Sequence, residues 1–378
     1  MVLIQYNYVI TAWLLLLNFS PYAVTFANQY DPHVYPSKGP FFEGWYARII
    51  DTENSRSFGV LFGRVLPASP TSSTSSLSTT YLSFVRSKGV NQSMEVIDIF
   101  PDEENISVTV RGGSQITGDP DDPSPPYFEW VARPYGYFNV TPNGTVFDFE
   151  AQGIRFSGSF GKPVAWGPNG EGPEGWLKDI PFVPLHWFVY SLATSGNYTW
   201  VNQESSENFQ GQATVHQEKN WGDSFPPSWI WTQGVNEKQN TAYAGSFGVV
   251  NFGPVGVPAH LYGYRNFKKN ITLNFRPDNS YVTKSIYGCY GKVAFTITSL
   301  THKIELNIVT PTSTLDKCLL GPTVKGFAPI CVESYVASTE TTVYKLGGSG
   351  YTKIDYSVFE NAALEFGGGY ICPSGPCE

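Results

Sequence analysis

Short runs of alternating apolar and polar residues recur along almost the whole chain, and no segment keeps a helical apolar period over twelve residues. In the first half the pattern predicts strands at residues 44–50, 57–64, 81–85, 94–99, 106–111, 146–151 and 154–160. The second half adds 187–192, 212–218, 228–233, 243–250, 260–267, 271–275, 292–298 and 303–309, and the last set is 331–338, 341–345 and 362–367. Strands this short, separated by glycine and proline, predict an all-β chain built of barrels or sandwiches. The serine- and threonine-rich residues 67–80 and the proline-rich residues 119–126 break the pattern and read as exposed loops. The polar stretch 197–209 places a boundary between an N-terminal domain, 28–205, and a C-terminal domain, 206–378.

Composition sharpens this picture. Aromatic residues reach 16% while charged residues stop at 15%, and 37 glycines and 28 prolines supply many turns. The formal net charge of −8 argues against nucleic acid as a partner. Residues 1–27 have the form of a secretory signal peptide: Val9 to Leu17 is an apolar run, and Thr25-Phe26-Ala27 offers small residues for cleavage after Ala27. Asn91, Asn105, Asn139, Asn143, Asn197 and Asn270 each head an Asn-x-Ser/Thr triplet, which predicts a secreted or lumenal glycoprotein. All five cysteines lie in the last quarter. Cys372 and Cys377 are spaced to close a short loop and Cys318 to reach Cys331, leaving Cys289 over, although spacing does not fix connectivity. No cysteine–histidine spacing resembles a zinc site.

The densest chemistry lies between His216 and Trp231. Trp221, Trp229 and Trp231, three of ten tryptophans, are interleaved with Glu218, Lys219, Asn220 and Asp223. Gly222 and Pro226-Pro227 predict a turn between two strands. Aromatic faces beside a neutral acid suit the stabilisation of a carbocation; the same tryptophans also suit plain core packing. In a strand, His216 and Glu218 share a face while Lys219 takes the other, so one of Glu218 and Lys219 is expected to meet solvent.

Phe41-Phe42-Glu43-Gly44-Trp45-Tyr46, Pro184-Leu185-His186-Trp187, Glu218-Lys219-Asn220-Trp221-Gly222 with Trp229-Ile230-Trp231, Cys331-Val332-Glu333-Ser334-Tyr335 and Glu365-Phe366-Gly367-Gly368-Gly369 resemble the motifs of the tocopherol cyclase family. The resemblance runs from about Phe41 to Tyr370, and the central motif is the most specific. More distantly, the family is similar to carotenoid hydratases and lipocalin-like Diels–Alderases. It implies two lipocalin-like β-barrel or sandwich domains with an apolar cavity. It also implies proton-initiated cyclisation of a prenylated hydroquinone to a chromanol-type ring, with no cofactor and no metal. On that reading Glu218, His186, Asp223 and Glu43 are the candidate acids, Glu218 first. Trp45, Tyr46, Trp187, Asn220, Trp221, Trp229 and Trp231 are the candidate substrate-binding residues.

Each candidate acid has a structural alternative: a turn cap for Asp223, a satisfied core histidine for His186, a barrel-entrance contact for Glu43. The competing function is a secreted, non-catalytic lipocalin-like carrier of a hydrophobic ligand. Either way the partner is a hydrophobic small molecule, with peripheral membrane contact as a further expectation. The secretory signal sets the chain apart from plastid cyclases. An acid pointing into the cavity separates the enzyme from the carrier.

Overall fold

The computed structural model describes residues 39–68, 77–111, 127–141, 143–180 and 183–377. The expected signal peptide, residues 69–76 of the first loop and all of the second loop lie outside the described residues. Two large curled antiparallel sheets account for the fold. The first holds β1 (Phe41–Asp51), β2 (Arg56–Leu66), β3 (Thr80–Arg86), β4 (Glu95–Ile99), β5 (Ile106–Arg111), β6 (Tyr127–Ala132), β7 (Gly136–Thr141), β8 (Gly144–Ala151), β9 (Ile154–Phe160), β10 (Leu185–Asn202) and β11 (Glu207–Gly222). Its order is β4-β3-β2-β1-β11-β10-β9-β8-β7-β6-β5. The second holds β12 (Ser228–Asn236), β13 (Thr241–Phe252), β14 (Val255–Asn266), β15 (Ile271–Phe275), β16 (Ser280–Tyr287), β17 (Lys292–Ser299), β18 (His302–Val309), β19 (Cys318–Thr323), β20 (Gly326–Gly347) and β21 (Gly350–Gly368). Its order is β15-β14-β13-β12-β21-β20-β18-β17-β16, with β19 on β20.

The strand period decides which residues meet where. Each sheet curls around its own core. Trp45, Phe62, Trp130 and Phe147 fill the first, and Ile230, Phe247, Phe295 and Phe366 fill the second. A third apolar layer lies between the sheets and contains Trp187, Val189, Trp229, Trp231, Tyr335 and Ala363, with Tyr46 packed against it. β1, β11, β12, β20 and β21 are therefore covered on both faces: one residue enters its own sheet's core, the next enters the shared layer. This is why β12 is buried from Trp229 to Val235 without alternation.

The same layering corrects one expectation. Glu218 and Lys219 do take opposite faces, yet neither meets solvent; both are buried. Lys219 faces the first core, where its ammonium lies 4.8 Å from the ring centre of Trp45.

Most predicted strands are present, but several are longer. Residues 331–338 and 341–345 belong to one strand, β20; irregularities at Ser334–Ala337 and Ala337–Thr339 shift the apolar period midway and split the pattern. β6, β7, β16 and β19 were not anticipated. The stretch 197–209 forms the paired turn end of β10 and β11, and the chain passes between sheets at residues 223–227.

The disulfides join Cys289 to Cys372 and Cys318 to Cys377. Cys331 is a buried thiol. The short-range pairs suggested by spacing do not form. Cys318 sits opposite Val332 in the ladder, so the adjacent Cys331 points to the other face.

Candidate functional site

Between the two sheets lies a cavity of about 150 Å³. At one end its wall carries Glu218, Glu333, Glu365, Trp187, Trp229 and Trp231; towards the mouth it is lined by Phe42, Tyr81, Leu185, Phe225, Leu320 and Phe327. Three of the four carboxyl groups that line the cavity thus meet at one end. Strand pairing brings them there. Glu218 on β11 faces Tyr46 on β1, Glu333 on β20 faces Glu365 on β21, and Glu365 in turn pairs with Trp231 on β12.

Each acid has a different setting. Nε2 of His216 lies 2.7 Å from Oε2 of Glu218, and the Trp231 indole N–H donates to the same oxygen at 3.1 Å. The Trp229 indole N–H donates to Oε1 of Glu365. Burial pushes the Glu365 carboxyl up to about 7; the charge of Glu218 adds to that, while hydrogen bonds from Trp229 and Cys331 oppose it. Burial, then the charge of Glu365, holds Glu333 well above the carboxylate range, against the attraction of Arg48. Glu333 therefore keeps its proton near pH 7 and Glu365 keeps it part of the time, which proton donation requires.

The tryptophan wall needs a specific backbone. A side chain at Gly367 would bring its Cβ within 1.9 Å of the Trp229 ring. Glycine there lets the indole lie flat over β21 and reach Glu365, two residues back on the same face. Beside this wall the Tyr46 and Tyr335 hydroxyls are 2.7 Å apart, and the Tyr46 ring meets Trp231 edge-on at 5.5 Å. Burial pushes both phenols well above their ordinary range. Arg48, fully buried, donates to Gln233 Oε1 at 2.5 Å, to Ser57 Oγ at 3.0 Å and to the Asn361 carbonyl.

The expected residues separate into two groups. Glu218, Trp45, Tyr46, Trp187, Asn220, Trp229 and Trp231 all border the cavity. Glu43 borders it too and is held by a buried ion pair with Lys219. His186 and Trp221 lie outside the lining. They stack on each other at 5.1 Å, opposite one another across β10 and β11, and face the first sheet's side. His186 Nδ1 is 2.9 Å from Glu174 Oε2, and the other Glu174 oxygen accepts the backbone N–H of Trp187. Asp223 is exposed in the passage between sheets, where its own N–H bonds the Pro184 carbonyl at 2.8 Å. Glu333 and Glu365 were not among the expected acids. The signal for both was an acid standing alone within an apolar strand run, in Cys331-Val332-Glu333 and Ala363-Leu364-Glu365.

The crystal structure of CghA with Sch210972 superposes with a TM-score of 0.58 at 11% identity, covering 88% of this chain and 93% of that one, which supports the fold. Among curated proteins, the chloroplastic tocopherol cyclase of Zea mays is 25% identical over 70% of this chain and 54% of its own length. A probable chloroplastic tocopherol cyclase of Oryza sativa subsp. japonica is 24% identical over 70% of this chain and 55% of its own. The chain spans about half the length of these relatives. Residues 39–368 match the family described as tocopherol cyclase-like. That match takes in β1 through β21 and every carboxyl group of the cavity, and on it the chain belongs to the tocopherol cyclase-like family.

Proposed function

We propose that the protein cyclises a prenylated phenol or hydroquinone by protonating its alkene. The observation that carries this reading is the Glu365 carboxyl, raised to about 7 and facing a cavity walled by Trp229 and Trp231. Neutral Glu365 gives its proton to the less substituted alkene carbon, and the π electrons form the new C–H bond. Positive charge appears on the tertiary carbon. Each nearby indole face lowers the energy of that charge by about 0.5–2 kcal/mol. The phenol oxygen then forms the C–O bond and loses its proton to the Glu218 carboxylate, which His216 and Trp231 hold in place. A proton passing from Glu218 to Glu365 restores the starting state. Substrate and product are isomers, so the reaction needs no outside electron donor or acceptor.

A non-catalytic carrier has no use for neutral acids in a greasy cavity, since each costs free energy to bury. Three inward carboxyl groups favour the enzyme. The direct test incubates folded protein with hydroquinones carrying prenyl chains and looks for the ring-closed isomer. Wild type should form it and Glu365→Gln should not; absence of any cyclised product with every hydroquinone offered would defeat the reading.

We also propose a secretory route for this chain. Two disulfides suit an oxidising compartment, and none of the six asparagine triplets has a buried asparagine. Endoglycosidase treatment of the protein from its native host should increase its gel mobility; unchanged mobility would count against that route. Peripheral membrane contact stays part of the proposal, since the substrate class is lipophilic.

A further inference from the structure

We propose that the tip of the β13–β14 hairpin docks this protein on a lipid bilayer and sets the cavity mouth against it. The inference deepens the membrane contact proposed above by naming its surface, and it holds whatever the cavity does to its ligand. Beyond Val249, which pairs with Ser228 at the start of β12, the hairpin leaves its sheet. On the other side β14 meets β15 only from Tyr262 onward. Among the described residues, 250–257 therefore pair with one another alone. Val255 is 59% exposed and Val257 41%, and Gly256 and Pro258 beside them are exposed too. A two-stranded ribbon on its own is marginal in water. This one is also uncharged: residues 247–264 contain no aspartate, glutamate, lysine or arginine, in a chain of formal net charge −8.

The tip projects from the end of the second sheet at which the cavity opens. Ser228 follows directly on the passage between sheets, whose Phe225 and Pro226 line the cavity, and Ser246 on β13 lines it too. β21 ends opposite Ser228, and β20 runs past that end to the β19–β20 turn. There Val324 is exposed, close in the chain to the lining residues Pro322 and Phe327. Two apolar tips thus flank the opening. Three strand residues past Val249 carry the hairpin about 10 Å clear of β12, and elements lying in a membrane interface sink about 5–10 Å. Other occupants fit this tip less well. A second copy adding its strand needs the backbone donors of a free edge, and Pro258 removes one of them. A protein partner is expected to meet a polar rim around an apolar centre, and between Val249 and Pro258 only Asn251 has a polar side chain.

The test floats the full chain with phosphatidylcholine vesicles, with and without phosphatidylserine, as wild type and as the double variant Val255→Asp, Val257→Asp. Both positions are exposed, so the variant should melt at the wild-type temperature. Wild type should float with either vesicle, and the double variant should bind at least about tenfold more weakly. Wild type that stays in solution with both vesicles overturns the inference. So does a double variant that floats like wild type, or binding confined to vesicles containing phosphatidylserine. A wild-type dimer that the double variant dissociates, without flotation, would place a second copy on this face and likewise overturn it. Flotation needs no turnover, so intact flotation with no cyclised product from any hydroquinone would defeat the cyclase reading and leave the docking surface in place.

Discussion

At the scale of single residues, the site turns on where Glu365 keeps its proton. Its carboxyl titrates at about 7 in the folded chain against an ordinary value of 4.5. As proton donor it is active below that point, so the rate should be level in mild acid and fall about tenfold per pH unit above pH 7. Glu365→Gln should remove the activity and Glu365→Asp should retain a remnant; a full rate in the glutamine variant would assign the donor elsewhere. The same shift has a sign for stability. A pKa raised by folding means that the native state holds more protons than the unfolded chain between pH 4.5 and 7. Stability from this group is complete below the lower value and is lost as pH rises towards the upper, by about 3 kcal/mol in all. Denaturant titrations at pH 5 and pH 8 should therefore differ less in Glu365→Gln than in wild type. Glu218→Gln should also slow the reaction, because it removes the acceptor for the phenol proton while the Trp231 hydrogen bond remains possible.

At the scale of elements, the strand period explains both what could be read from the sequence and what could not. His216 and Glu218 were paired by alternation alone, and they do touch. Alternation likewise separates Trp221 from Glu218, three positions apart and so on opposite faces; the shared motif obscured that, and Trp221 stacks on His186 instead. His186 drew attention through its proline-leucine-histidine-tryptophan setting, but its face turns from the cavity and Glu174, in a glycine- and proline-rich strap, fixes it. Glu333 and Glu365 stand inside two of the motifs that resemble the family. Choosing them required knowing that β20 and β21 are covered on both sides, a fact of tertiary packing that no local window contains. The cysteines show the same limit: the face of Cys331 depends on ladder register, not on spacing. Gly367 gives this scale its prediction. Its alanine variant would place a Cβ 1.9 Å from the Trp229 ring, so either the indole leaves or the strand shifts. Because the Trp229–Glu365 bond goes with it, Gly367→Ala should cost about 1–3 kcal/mol of stability and reduce activity more than its effect on folding explains. Unchanged activity would mean that the Trp229 indole is not needed where it lies.

At the scale of the whole molecule, the cavity exists only while the two sheets stay apposed, and Arg48 ties them together through several hydrogen bonds. It rises from β1 in the first sheet and donates to Gln233 on β12, the Tyr335 carbonyl on β20 and the Asn361 carbonyl on β21, three elements of the second. Its guanidinium also lies 4.7 Å from the ring centre of Tyr335. Burying a cation among neutral acceptors costs desolvation, and burial accordingly lowers its pKa. The compensation is geometric: a planar fork with five donors satisfies several carbonyls at once, which a lysine ammonium cannot do. Removing it would strand those carbonyls in the dry layer, at about 1–3 kcal/mol for each one left unmet. Arg48→Met keeps much of the volume, so packing loss alone is small and the polar loss dominates. Calorimetry of wild type should show the sheets melting together, because the third apolar layer couples them. In Arg48→Met the melting temperature should fall, and the first sheet, which carries neither disulfide, should separate as an earlier transition. Tryptophan fluorescence from the shared layer, where Trp187, Trp229 and Trp231 lie, should change with that earlier event. A variant that melts at the wild-type temperature in one step would show that the apolar layer holds the sheets without Arg48.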